Sequence, residues 1–412
     1  TLFQCEQNAY CWRVAPQQSS LPLGHSDTKL RKKLAFRIKD VNLKRFNNKH
    51  QKKRTPMRSN KKVGKRQKIF IGIDVHNKSW DVTCVTHKGY CRSFNQQPSA
   101  DALIAFLRRE FPDAEYHAVY ESGFTGFSTY YALTAVGIHT IIANAADVPT
   151  TQKEQLLKTD RRDSKKLAES LRSGDLEGIH VRAVEDLDDR SLVRIRKTFK
   201  REESATKVRI RHLLHTNGVE IPEQYVRHWS LAFTAWLRNE AKLLGTSRNS
   251  LLMLLNHLEV LHKEVLAAGR AVRKMIRSEK YAEPLRRLMT APGIGINFAV
   301  VLLTEIGDFN RFPNERGFAC ALGLIPMCHD SGDTVSHGEK IFRGNRMIGG
   351  MMIEAAWRAV AKDAAFNAYH HKCCQRMKST TAIVKVARRL SNIILSMMKN
   401  KKDYAPAKTY PK

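Results

Sequence analysis

The apolar run Ile69-Phe-Ile-Gly-Ile, closed by Asp74, constrains this chain more than any other stretch. A short apolar segment that stops on an acid reads as a sheet-buried strand with a polar residue at its mouth. The same signature recurs in Tyr116-His-Ala-Val-Tyr, closed by Glu121, and a further strand is expected in Gly137-Ile-His-Thr-Ile-Ile-Ala143. After Asp74, alternating residues continue up to Phe94, which predicts a turn and a return strand. Helical patterns fill the gaps, from Ser99 to Phe111 and from Thr129 to Val136. Strands and helices that alternate over residues 68 to about 145 predict an α/β domain with a mixed sheet.

Two more acids join Asp74 and Glu121. Asp160 and Asp163 lie in Lys158-Thr-Asp-Arg-Arg-Asp163, and their spacing puts them on one face of a helix running to about Arg172. Singly, each has a plain reading: a strand-end Asp caps a turn, and Asp-x-x-Asp among cations is a solvated helix face. Together they read differently. A buried carboxylate is costly unless it meets a cation or a metal. Hard divalent ions such as Mg²⁺ take carboxylate oxygens, and phosphodiester chemistry uses them. The four acids are therefore expected to form one site for one or two Mg²⁺.

The charge balance says what such a site would act on. The net charge is +32, and residues 1–67 hold 18 Lys and Arg against 3 Asp and Glu. About half of the excess therefore lies in the body of the chain, which predicts an extended phosphate-contacting surface. Residues 1–67 are expected to be a disordered basic arm, or upstream sequence translated with a gene that starts at Met57. Folding is expected to begin near Gln67. No apolar run is long enough to span a membrane, and the opening residues lack the order of a signal peptide. The eight cysteines show no regular spacing, as expected of reduced cytoplasmic thiols.

Residues 187–218 and 240–278 are long, charge-laced helical patterns. Leu192, Ile195 and Phe199, then Leu252, Leu255 and Leu258, recur at helical spacing. They predict an antiparallel coiled-coil arm over residues 187–283, between a sheet domain at 68–186 and a helical C-terminal domain at 284–405. In the latter, Thr290-Ala-Pro-Gly-Ile-Gly-Ile296 has the form of a helix-hairpin-helix turn. Gly293 and Gly295 would let backbone N–H groups approach a phosphate there, or would simply join two helices. Further on, Ser331 sits in Asp330-Ser-Gly-Asp333, a polar turn by itself, with Lys340 and Arg343 downstream. His370-His-Lys-Cys-Cys374 has metal-ligand residue types, but adjacent helical residues cannot all converge on one ion, and no CxxC pair supports it.

Taken in order, these pieces resemble the DEDD transposases of insertion sequence family one-ten, whose relatives include the Piv-type DNA invertases. The resemblance rests on Gly72-Ile-Asp74-Val-His, Tyr120-Glu121-Ser-Gly, Lys158 to Asp163, Pro292-Gly-Ile-Gly295, Gly323-Leu-Ile-Pro326 to Gly332, Arg343-Gly-Asn345 and Ala382 to Arg388. It covers residues 68 to about 405 and departs at Asp330, where relatives often carry a small hydroxyl residue. The resemblance implies an RNase H-like (RuvC-like) domain similar to that of Holliday-junction resolvases, with Asp74, Glu121, Asp160 and Asp163 as its metal quartet. It implies Ser331 as a nucleophile forming a phosphoserine link, and a structured bridge RNA that pairs with donor and target DNA. It implies homodimers that assemble into tetramers with shared sites, in a bacterial cytoplasm at the nucleoid.

Three functions follow from different premises. An RNA-guided DNA recombinase needs both the quartet and Ser331. A metal-dependent junction endonuclease that uses water can dispense with Ser331. A basic nucleic-acid-binding protein without catalysis can dispense with both.

Overall fold

The computed structural model of the chain describes residues 67–149, 160–331, 334–340 and 344–406, giving the backbone alone for 160, 161, 326–331 and 334–340. The basic segment before Gln67 lies outside the described residues, so both expectations for it stand where the sequence left them.

The first domain is a five-stranded sheet between helices. Strands β1 (Lys68–Val75), β2 (Trp80–Thr86) and β3 (Cys91–Gln96) form an antiparallel meander. On the other side of β1, β4 (Glu115–Glu121) and β5 (His139–Ala143) run parallel to it, giving the order β3-β2-β1-β4-β5. The expected strand and return strand up to Phe94 are thus three strands, because a second reversal follows Thr86.

Alternation sorts the side chains of β1 onto two faces. Ile69, Ile71 and Ile73 bury against helices α1 (Ala100–Glu110) and α2 (Ser128–Ala135) through Leu103, Leu107 and Leu133. Ser99, expected as the first helical residue, instead caps α1 by accepting from the Ala102 N–H. On the opposite face lies α3 (Asp160–Ser173), whose Leu167 packs on Val119 of β4. Gly72 explains how close α3 comes: a Cβ there would stand 2.0 Å from the carbonyl oxygen of Ser164. Only glycine admits that approach.

Helices make up the rest. Helix α4 (Val184–Thr216) runs antiparallel to α7 (Gly245–Met275): Val193 and Val272 share one core, while Ile210, Leu251 and Leu255 share another. The periodicity predicted the pair, and Leu255 and Leu258 of α7 are buried as expected, but the buried stripe of α4 is shifted. Val193 and Leu251 are buried, whereas Ile195 is 43% exposed. Residues 219–239, which carried no expectation, form the short α5 (Glu223–Val226) and α6 (Leu231–Asn239). There Tyr225, Phe233 and Trp236 pack their rings over the far end of the pair.

The C-terminal body contains α8 (Glu279–Thr290), α9 (Ile296–Ile306), α10 (Glu315–Ala321), α11 (Arg346–Lys362), α12 (Ala364–Cys374) and α13 (Ser379–Asn400). Helix α9 is buried from Phe298 to Ile306, as a helix apolar on all sides must be. An antiparallel hairpin of β6 (Pro326–Ser331) and β7 (Thr334–Lys340) interrupts the helices, where the sequence predicted an all-helical domain with a polar turn. Among the described residues no helix is long and apolar enough to cross a membrane.

Candidate active site

Strand register sets the first pair of carboxylates. Parallel β1 and β4 pair Ile73 with Tyr120, so Asp74 and Glu121 occupy the next position on each strand, at the carboxyl ends. That edge of a parallel pair is where α/β sheets place ligands. Ile73 and Tyr120 both face the α1–α2 core, so Asp74 and Glu121 face the other side, where α3 lies. Asp74 is partly buried, with its Oδ2 3.2 Å from His76 Nε2. The loop after Glu121 is pinned from within the sheet. The Tyr120 hydroxyl donates to the Gly126 carbonyl at 2.9 Å and accepts from the Tyr130 N–H at 3.1 Å. Burial pushes that phenol up to about 12, so it stays a neutral donor.

Helix α3 brings the second pair. Ser164 is buried, and its hydroxyl is 2.8 Å from that of Thr83, which is in turn 2.8 Å from Ser93. This chain of three hydroxyls fastens the first turn of α3 to β2 and β3. Asp163 precedes Ser164, is partly buried, and has Lys166 Nζ 4.0 Å away. Asp160 heads the helix; its side chain lies outside the described residues. Among the described residues no three His, Cys, Asp or Glu side chains form a metal-ligand group, so Asp74, Glu121 and Asp163 do not make one by themselves. The His370–Cys374 segment makes none either. His370 packs on Trp357 and sits 3.6 Å from Cys374 Sγ and 3.3 Å from Ser379 Oγ.

Ser331 stands elsewhere. It is the last residue of β6, in register with Thr334, and Lys340 ends β7 opposite Pro326. Their side chains, and Arg343 altogether, lie outside the described residues. The start of α11, which follows the hairpin in sequence, is held by a group that sequence reasoning missed. Glu305 of α9, with its side chain 1% exposed, accepts from Arg190 Nε at 3.0 Å and from Arg194 Nη2 at 3.0 Å, both on α4. Its third donor is Asn345 Nδ2 at 2.9 Å. Asn345 also caps α11 through its Oδ1 and anchors its own N–H on the Ala321 carbonyl. Burial works against the charge on Glu305, but Arg194 and Arg190 outweigh it and hold the carboxyl below its ordinary range. The signal was present, as one acid in the apolar run Phe298–Ile306.

Arg182 ties the two regions. Its carbonyl accepts from the Tyr131 hydroxyl of the sheet domain. Its guanidinium donates to the Thr304 and Glu305 carbonyls at the end of α9.

The glycine turn between α8 and α9 has a packing role. Gly293 has φ +82°, and a Cβ there would lie 2.1 Å from the Ala355 carbonyl oxygen of α11. Gly295 precedes α9 as its N-cap, and a Cβ there would meet nothing within 4 Å.

Comparison with known proteins places both regions. Residues 71–217 match the DEDD transposase model of IS110 elements, described as "Transposase", and residues 285–371 match the model described as "Transposase IS116/IS110/IS902 family". The matched segments together take in more than half of the chain. The transposase for insertion sequence element IS1533 of Leptospira borgpetersenii is 25% identical over 271 residues, covering 62% of this chain and 76% of the relative. The transposase for IS1111A of Coxiella burnetii is 26% identical over 227 residues, 55% of this chain and 61% of the relative. An IS110 insertion-element protein of Streptomyces coelicolor is 32% identical over 134 residues, about a third of each. With two models matched in order, one over the sheet domain and α4 and one over the body that holds the hairpin, the chain belongs to the IS110 family of insertion-sequence transposases.

Proposed function

We propose that the chain is an RNA-guided DNA recombinase that cuts and rejoins strands through Ser331, with Asp74, Glu121, Asp160 and Asp163 as a Mg²⁺-binding quartet. One observation carries the reading. Asp74 and Glu121 end neighbouring parallel strands on the face where α3, the helix of Asp160 and Asp163, is fastened. The order β3-β2-β1-β4-β5, with β1 antiparallel to β2 and parallel to β4, supports an RNase H-like assignment. An all-carboxylate donor set fits Mg²⁺, which takes oxygen ligands. When bound, the ion would polarise the scissile phosphate as a Lewis acid.

The protein's own part is a balanced exchange. Ser331 Oγ attacks phosphorus, a new P–Oγ bond forms, and the P–O bond to one strand breaks. That strand leaves as a hydroxyl carrying the serine proton. A hydroxyl from another strand then attacks the phosphoserine and releases Ser331, so the phosphodiester energy is kept and no ATP is needed. Lys340 and Arg343 offset the phosphate charge, and the Gly293–Gly295 turn meets backbone phosphates through its N–H groups. A structured guide RNA pairs with donor and target DNA, held by the basic surface through phosphates and shape. The chain works as a dimer that pairs into a tetramer, assembled through the α4–α7 arm as an antiparallel coiled coil. Apolar side chains left on that arm, Val208 at 66% and Met253 at 71% exposed, support assembly there.

The deciding experiment incubates the protein with Mg²⁺, element DNA and its RNA, then resolves products under denaturing conditions. A protein–DNA adduct that disappears in Ser331→Ala supports the recombinase. Cleavage without an adduct favours a nuclease that uses water, and RNA or DNA binding with no cleavage leaves a non-catalytic binder.

A further inference from the structure

Arg190, Arg194, Lys197 and Arg201 follow one another along α4 at steps of four, three and four residues, so they form one stripe. The stripe divides into two halves. Arg190 and Arg194 close on the buried Glu305. Lys197 and Arg201 are exposed, and among the described residues neither makes an ion pair. With Arg194, Thr198 and Met347 at the start of α11, they line a cavity of about 340 Å³.

The balance of charge around that cavity is one-sided. Burial holds the Lys197 ammonium below its ordinary range; Glu305 and Glu354 act against this, while Arg201 and Arg194 add to it. The described lining thus holds three cations and a hydroxyl and no carboxylate, an arrangement completed by an anion. Among the described residues no aromatic ring or amide lines the cavity, so these residues offer no means of reading a base edge.

We propose that this cavity is a seat for a backbone phosphate of duplex DNA, with Lys197 and Arg201 on its non-bridging oxygens and the Thr198 hydroxyl donating beside them. Arg194, fixed by Glu305, forms the rigid end of the seat. The inference rests on the reading that the chain acts on DNA. DNA is favoured because the chain belongs to a family of transposases, enzymes that act on DNA. A phosphate gripped there would help fix the position of the duplex on the protein without adding sequence preference.

The test compares duplex DNA binding by the full chain and by Lys197→Gln/Arg201→Gln over a series of salt concentrations. The slope of log affinity against log salt should fall by about 0.9, the amount for the one phosphate contact removed. The charge-conserving Lys197→Arg/Arg201→Lys should retain the original slope, and a control on the outer face of α7, Arg270→Gln/Lys274→Gln, should lose less than half as much. An unchanged slope in the first variant, or an equal loss in the control, overturns the seat. A loss confined to duplex RNA of the same sequence overturns its assignment to DNA. If the unaltered chain binds no DNA, the functional reading falls with it; if it binds and the double variant binds alike, the seat alone falls.

Discussion

The sheet domain and the C-terminal body hold their candidate groups by different means. In the first, Asp74 and Glu121 are placed by strand register, and α3 is fastened by three neutral hydroxyls and a glycine contact. In the second, α4, α9 and the start of α11 are joined by a buried charge, Glu305, which draws donors from α4 and from Asn345. Backbone ladders tolerate side-chain change, whereas a buried carboxylate is secure only while its partners remain. One half of the proposed chemistry should therefore be robust and the other brittle.

The largest effect should come from setting the halves against each other. Asp74→Ala and Ser331→Ala should each abolish strand exchange in a recombination assay. A mixture should recover part of it, because some mixed assemblies contain one intact shared site. If every mixing ratio stays dead while both proteins co-assemble, the quartet and serine must meet within one chain.

Stability comes next. Arg190→Ala/Arg194→Ala leaves Glu305 buried without its cations, which should cost about 3–5 kcal/mol in denaturant unfolding. Glu305→Gln should cost less, since Asn345 can still donate to it. The same group gives the body a sensitivity to acid. Its folded carboxyl is depressed, so its contribution is present above the unfolded value of 4.5 and is lost as pH falls through the lower folded value. Acid unfolding of Glu305→Gln should show a flatter loss below that point than the parent chain.

On the sheet side, Gly72→Ala forces a methyl into the Ser164 carbonyl and should cost about 1–3 kcal/mol as α3 is pushed off the strand. Strand exchange should fall with it, since α3 carries Asp160 and Asp163. Thr83→Val should have the smallest effect, about 1 kcal/mol by thermal unfolding, because it breaks the hydroxyl chain at its centre. A loss for Thr83→Val as large as for the arginine pair would erase the contrast between the halves.

The same contrast governs what the amino-acid sequence reveals. Asp74 and Glu121 were legible because apolar runs ending on an acid carry their own local signal. The helix of Asp160 and Asp163 was legible from spacing alone. Hairpin β6–β7 was not, because Met-Cys-His-Asp-Ser lacks the alternation of a half-buried strand. The stripe of α4 was misplaced by two residues at Ile195, since two stretches of similar periodicity differ only in what packs on them. Glu305 was hidden by distance, its arginine partners lying more than a hundred residues away in sequence. Buried polar contacts of that kind leave no periodic trace.

Arg182 gives the molecule a mechanical property. Its backbone is held by Tyr131 of the sheet domain while its guanidinium is bonded to the end of α9. One residue thus serves as a rivet through both bodies. A riveted joint transmits motion and does not absorb it, so closing a composite site by folding one domain over the other would first have to break these bonds. Bringing carboxylates to the serine would instead be a matter of encounter between whole subunits. The onset of cutting should then follow a power of protein concentration, with a lag that shortens as the chain becomes more abundant.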